Sequence, residues 1–277
     1  MQLCNINGNL LDFKSPKIMG ILNITPDSFF DGGKYLRIDD ALHHVERMLN
    51  EGADIVDIGA YSSRPGAADI SLQEELNRLI PIIARISTAF PEATLSIDTF
   101  RSVVAKEAIN SGGHIVNDIS GGNLDEEMFS TVAKLGVPYI LMHSRGNPNT
   151  MQRETVYNNL IDDIILDFSK KIKLLHAYGV KDVILDPGFG FAKTLHQNYE
   201  LLNGIERLKI LGMPILGALS RKSMIYNLLE ISSADALNGT TVLNTLLLTK
   251  GIQIIRVHDV KEAVQVRKLV NEVNSYN

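Results

Sequence analysis

Eight short apolar runs, each closing on a charged or amide residue or a glycine-rich turn, dominate this chain. They are IMGILN at 18–23, DIVDIG at 54–59, TLSID at 94–98, HIVND at 114–118, YILMH at 139–143, VILDPG at 183–188, PILGALSRK at 214–222 and IQIIRVH at 252–258. The segments between them carry helical patterns, so strand, polar tip, loop and helix recur along the chain. Parallel strands need long crossovers, and eight strands with helices between them predict a closed α/β barrel of the (β/α)8 TIM type. The functional loops then gather on the C-terminal rim. An open doubly wound sheet is the competing arrangement. Against it, no G-x-G-x-x-G opens a helix after any of the runs, and eight strands is the number that closure requires.

At 277 residues and 45% hydrophobic content the chain suits one barrel domain over 1–277 better than two smaller domains. Residues 1–16 form a candidate N-terminal β-hairpin and 17–277 the barrel. In the hairpin, Leu3, Ile6, Leu10, Leu11 and Phe13 flank the turn signal Asn7-Gly8. Its expected role is to plug the barrel's N-terminal end. The single cysteine, Cys4, excludes an internal disulfide and a Cys-rich zinc site and points to a reduced cytoplasmic setting. No apolar run approaches the roughly 20 residues of a membrane helix. The N-terminus lacks a basic region followed by an apolar core, so export is not expected. A net charge of −5 with no basic tract argues against a nucleic-acid partner.

Apolar periodicity places helices near 38–50, 72–88, 101–111, 126–135, 154–177, 198–209, 234–249 and 260–273, with an extra turn or two at 223–230. Ser71 with Glu74 reads as a capping box, and Asp259 with Glu262 as another. Val156, Leu160, Ile164, Phe168, Ile172 and Leu175 form one stripe on the longest helix, which Gly179 ends.

The strand tips carry the chemistry. Asp98, Asn117, Asp186 and Lys222 bring acceptors, an amide and a cation to one cavity mouth, a set suited to a flat polar heterocycle with an amino-pyrimidine edge. A structural reading stands beside this one, in which each buried carboxylate is simply paired with a nearby Lys or Arg. Arg64, on the loop after the second strand, joins Arg256 and His258 at the last strand as an anion site. The alternative there is pairing with surface acids. Asn23 ends the first strand, with Asp27 and Asp31 in the following loop. Hard oxygen ligands suit Mg²⁺, and both aspartates equally suit turns around Gly32-Gly33. Phe29, Phe30 and Phe191 are candidate covers for an aromatic substrate. Asp57 and His143 also close strands, with no role assigned.

Several segments resemble the dihydropteroate synthases. MGILNITPDSFFDGG (19–33) and DIGAYSSRPGA (57–67) are similar to that family's two hallmark motifs. SIDT, NDISGG, LMHSRGNPNTMQ, DPGFGFAKT, SRKSMI and RVHDV follow in order, so the resemblance spans nearly the whole barrel. It implies a TIM barrel, usually a homodimer, that joins a 7,8-dihydropterin-6-ylmethyl diphosphate to 4-aminobenzoate in folate synthesis. By the same resemblance Asp98, Asn117, Asp186 and Lys222 bind the pterin, while Asn23, Arg64, Arg256 and His258 bind the diphosphate. Asn23 also ligates Mg²⁺, and Ser63, Pro65, Phe191 and Ser223 contact aminobenzoate. Asp31 and Phe30 close over the reacting centre, and catalysis falls to Asp98, Asp186, Lys222, Asp31 and Arg256. The chain departs from the common pattern at Ala60-Tyr61, Phe30 and Ala218. A pterin-binding methyltransferase domain on the same barrel and a non-catalytic pterin-binding protein are the rival readings. Neither needs a diphosphate cluster.

Overall fold

The computed structural model describes residues 3–6, 8–24, 34–61, 69–146, 150 and 153–276. Eight parallel strands form one sheet: β3 (Lys17–Asn23), β4 (Ile55–Gly59), β5 (Leu95–Asp98), β6 (Ile115–Asp118), β7 (Tyr139–Met142), β8 (Val183–Asp186), β9 (Leu216–Gly217) and β10 (Ile254–Val257). Each strand pairs with its sequence neighbour, and β10 pairs with β3. The remaining seam, between β8 and β9, is bridged at Leu185–Ile215. The sheet is therefore a closed TIM barrel, as the strand count predicts. The seventh run is strand over only two residues, because the chain after Gly217 leaves the ladder for the loop that carries Ser220 and Lys222.

A hairpin of β1 (Leu3–Ile6) and β2 (Asn9–Asp12) precedes the barrel. Cys4 and Ile6 join the inner cluster of Met19, Ile55, Ile115, Ile140, Ile184, Leu216, Ala218 and Ile254, with Leu11 and Phe13 packed against it. The hairpin thus plugs the barrel floor. Burial of an aliphatic side chain such as Ile6 contributes about 1.5–3 kcal/mol. Burial also pushes the Cys4 thiol up to about 12, so it behaves as a small hydrophobe.

The helices lie outside: α1 (Lys34–Glu51), α2 (Leu72–Ala89), α3 (Ser102–Asn110), α4 (Met128–Leu135), α5 (Leu160–Tyr178), α6 (Leu195–Gly204), α7 (Ser223–Leu229), α8 (Leu237–Thr249) and α9 (Val260–Asn274). A 3-10 segment, Ile205–Leu211, extends α6. The stripe on α5 is buried from Leu160 to Leu175, and Gly179 closes the helix in the left-handed conformation. The helix starts six residues later than the periodicity suggests. Asn159 caps it by accepting from the Asp162 N–H at 3.1 Å, and Val156 stands outside it, 83% exposed. At α2, Ser71 accepts the Glu74 N–H as expected, but the reciprocal half of the capping box is absent because the Glu74 carboxylate pairs with Arg78. The expected cap by Asp259 is not made. Its carboxylate instead takes two bonds of 2.9 Å from Arg221, a charge-assisted pair that outcompetes a neutral cap.

Candidate active site

Strand alternation sends every second side chain toward the barrel axis. On β4, β6, β8 and β10 the isoleucines at 55, 115, 184 and 254 point inward and join the floor cluster. Two residues further along each strand come Asp57, Asn117, Asp186 and Arg256, one layer higher at the C-terminal rim. On β5 the same layer holds Asp98, in register with Gly59 on one side and Asn117 on the other. Asp118 has the opposite phase and turns outward. There it accepts from the Tyr139 hydroxyl at 2.6 Å and from the N–H groups of Ser120 and Gly122. Its role is structural.

The inward groups meet across the barrel. Arg256 Nε donates to Asp57 Oδ2 at 2.6 Å, and its Nη2 donates to Asp98 Oδ2 at 2.7 Å. Asn117 Nδ2 lies 3.1 and 3.2 Å from the two Asp57 oxygens. The fully buried Asp57 is therefore the hub of the array. Its signal in the sequence was the inward phase it shares with Asp98 and Asn117. The structural reading of Asp98 holds in one respect, since Arg256 is its partner. That pairing still leaves acceptors over. Asp98 Oδ1, Asn117 Oδ1 and Asp186 Oδ2 accept no hydrogen bond from any described residue.

Electrostatics follow from this packing. Burial raises the Asp98 carboxyl to about 7, with Asp57 adding to the rise and Arg256 opposing it. Burial also raises Asp186, against the pull of Lys222, the Gly188 N–H and Arg256. Lys222 is lowered to about 8 by burial, with Asp186 opposing. Arg256 is desolvated too, but Asp57 and Asp98 outweigh that and hold it protonated.

Lys222 donates to the Phe189 carbonyl and stands 4.9 Å from the centroid of the Phe191 ring. Phe191 is half-buried beside it, and Ser223 is exposed at the start of α7. His258 is exposed on the rim. Ser220 Oγ accepts the His258 backbone N–H at 3.1 Å and lies 3.0 Å from the ring Nδ1. Asn23 ends β3, half-buried, in register with Gly59. Asp27, Phe29, Phe30, Asp31, Ser63, Arg64 and Pro65 lie outside the described residues.

The flanks of the second loop are described. Tyr61 packs edge-on against Phe100, with ring centroids 4.9 Å apart. The Arg101 guanidinium lies 5.7 and 5.1 Å from those two rings. It also donates to the Ile70 carbonyl at 2.8 Å and to the buried Glu75 at 2.6 Å. Tyr61, a departure from the common family pattern, thus serves as an aromatic platform. Ala218 sits in the floor cluster.

A closed barrel whose rim offers three carboxylates, an amide, a lysine and an arginine is an enzyme site for a polar heterocycle. The family model for pterin binding enzymes matches residues 19–258, and the chain belongs to that family. Within it the chain stands with the dihydropteroate synthases, transferases of folate biosynthesis. It is 41% identical to the dihydropteroate synthase of Bacillus subtilis over 273 residues, 98% of this chain and 93% of that one. The Yersinia pestis dihydropteroate synthase in a sulfonamide drug complex superposes with a TM-score of 0.92 at 40% identity, covering 99% and 100% of the two chains. The Xanthomonas albilineans dihydropteroate synthase with 4-aminobenzoic acid gives 0.91 at 33% identity, covering 98% of each.

Proposed function

We propose that this rim makes 7,8-dihydropteroate from a dihydropterin-6-ylmethyl diphosphate and 4-aminobenzoate by substitution at the pterin methylene. The observation that carries the assignment of roles is the set of open acceptors, Asp98 Oδ1, Asn117 Oδ1 and Asp186 Oδ2, facing one mouth. Such a set matches the N–H groups of an amino-pyrimidine edge, which a site built to hydrogen-bond them distinguishes from analogues lacking them.

The pterin methylene C–O bond breaks, and diphosphate leaves with the electron pair. The electron-rich pterin delocalises the positive charge, which Asp98 and Asp186 stabilise as carboxylates. The aminobenzoate nitrogen then bonds to the methylene carbon with its lone pair and releases a proton to solvent. Arg256, with Nε and one Nη committed to carboxylates, still has N–H donors for the departing diphosphate, and His258 adds another. Arg64 and Asn23 complete that set. Phe191 and Lys222, stacked on one another, form a wall for the flat aminobenzoate beside Ser223, and the family resemblance adds Ser63 and Pro65 as contacts. The family resemblance gives Asp31 and Phe30 the task of keeping water, which would otherwise capture the cation, from the methylene.

The donor chemistry fits Mg²⁺. The ion takes hard oxygen ligands, keeps several waters and is completed by substrate phosphates, so one protein oxygen at Asn23 suffices. When bound, Mg²⁺ offsets the negative charge of the leaving diphosphate.

A homodimer is part of the same proposal. Val242 and Leu246 lie 51% and 42% exposed on α8, and Leu228 and Leu229 close α7 at 56% and 50%. Leu229 reaches the N-terminal turn of α8 at Gly239, so these residues make one apolar strip suited to burial against a second copy. Sedimentation is expected to show a dimer that Leu246→Glu dissociates.

The direct assay supplies the pterin diphosphate, 4-aminobenzoate and Mg²⁺ to the purified chain. Dihydropteroate and diphosphate are expected in equal amounts. Pterin binding without product would favour a non-catalytic role and overturn the proposal.

A further inference from the structure

The loop after β8 is fastened to the barrel almost entirely by side chains. Gly188 donates its N–H to Asp186 Oδ1 at 2.8 Å. Its φ is +69°, and a Cβ there would stand 2.1 Å from the His143 carbonyl oxygen, so only glycine fits. Tyr157 donates to the Ala192 carbonyl at 2.9 Å, where φ is +51°. Asn198 accepts from Gly190 N–H and donates to the Thr194 carbonyl. At the centre lies Lys193, 3% exposed, on a residue to which the mechanism assigns no task.

Lys193 Nζ contacts three acceptors: the Gly188 carbonyl at 3.1 Å, the Phe191 carbonyl at 3.0 Å and His143 Nδ1 at 3.1 Å. Three bonds use the whole donor capacity of an ammonium. His143 is itself bound into the barrel, with its N–H on the Asp186 carbonyl at 2.8 Å and its ring against Tyr157 and Phe168. We propose that Lys193, anchored on His143, is the positioning residue that holds Phe191 and the Gly188–Asp186 turn in register, and so sets the aminobenzoate wall relative to the pterin carboxylate. This rests on the substrate roles given above to Phe191 and Asp186.

The pair holds the loop in either protonation state. Burial lowers Lys193 to about 7 and, with the Lys193 charge, lowers His143 well below its usual range. With Lys193 an ammonium, neutral His143 accepts at Nδ1. With Lys193 an amine, two N–H groups still serve the carbonyls while its lone pair accepts from a His143 Nδ1–H tautomer. The other charged groups acting on the pair are Asp186, Lys222, Arg145, Asp167 and Lys171. What changes with pH is the charge beside Asp186, while the fastening persists.

Lys193→Met keeps the length and removes the donors. It is expected to raise the KM for aminobenzoate and the calorimetric Kd for the pterin diphosphate each about tenfold, the effect of losing charge-assisted bonds. A purely structural role would lower the active fraction, and hence kcat, with both constants unchanged. That result would overturn the proposal. His143→Asn retains an acceptor near the Nδ1 position and is expected to stay within about threefold of wild type in both constants, whereas His143→Leu shifts both as Lys193→Met does. Should Lys193→Met fail to fold, equal constants in the two His143 variants would overturn the proposal. Wild-type turnover in the same assay tests the catalytic reading by itself. The calorimetric arm needs no turnover, so the two readings fail separately.

Discussion

Arg256→Ala is expected to lower kcat/KM by roughly a thousandfold while leaving the barrel folded. Removing one well-aligned donor to developing charge costs about 2.7–4 kcal/mol, and Arg256 does more than donate. Its fork reaches past β3 from β10 and joins Asp57 on β4 to Asp98 on β5, at 2.6 and 2.7 Å. Without it two carboxylates face one another in a poorly solvated layer. The Asp98 carboxyl, already at about 7, is then driven higher and is protonated at neutral pH. It can no longer offset positive charge on the pterin. Arg256→Lys restores a charge without a planar fork and is expected to recover less than about a tenth of the lost activity. The Ala variant should also melt earlier than wild type at pH 8, where the carboxylates repel, with the deficit shrinking as pH falls below about 7. Steady-state kinetics and thermal unfolding at two pH values check this. Near wild-type kcat/KM in the Ala variant would count against the central place given to this residue.

The pH profile of kcat/KM for the pterin diphosphate should be a narrow bell with its maximum between about 7 and 8. Asp98 offsets the positive charge of the reacting pterin only as a carboxylate, so activity rises as pH rises through about 7. Lys222 acts as an ammonium, so activity falls as pH rises through about 8. Asp98→Asn should abolish the acid limb and Lys222→Met the basic limb, each at a large cost in rate. Stability runs the other way. The raised Asp98 favours the folded state at pH below its unfolded value near 4, a contribution lost as pH rises to about 7. The lowered Lys222 favours the fold above its unfolded value near 10.5, a contribution lost as pH falls to about 8. Between those limits both groups are charged against the preference of the fold. That is the state in which they bind substrate, a trade of stability for function that active sites commonly show. An acid limb surviving intact in Asp98→Asn would refute the assignment.

Much of this was legible in residue order. Eight apolar runs predicted eight strands, and their polar endings put Asp98, Asn117, Asp186 and Arg256 together on one rim. The hairpin was legible from Asn7-Gly8 and its apolar flanks. Motif order across residues 19–260 pointed to the pterin binding enzymes, whose family model matches residues 19–258. Boundaries were less legible. Val156 extended a helical stripe that Asn159 actually interrupts, because apolar spacing does not record where a capping side chain claims the first orphan N–H groups.

Partner choice was not legible. Asp259 carries the signature of a helix cap, and Arg221 takes its carboxylate from 38 residues away. Asp57 had no assigned role until Arg256, 199 residues distant, closed on it. Lys193 in DPGFGFAKT has no local mark, because its meaning depends on His143, 50 residues earlier. The amino-acid sequence by itself determined the barrel, its plugged floor and which residue types stand at the rim, since periodicity and turn chemistry are local properties of the chain. Only the tertiary structure decided which rim groups are spent on one another and which keep an open acceptor. That division depends on hydrogen-bond geometry of about 3 Å, set between strands brought face to face only when the barrel closes.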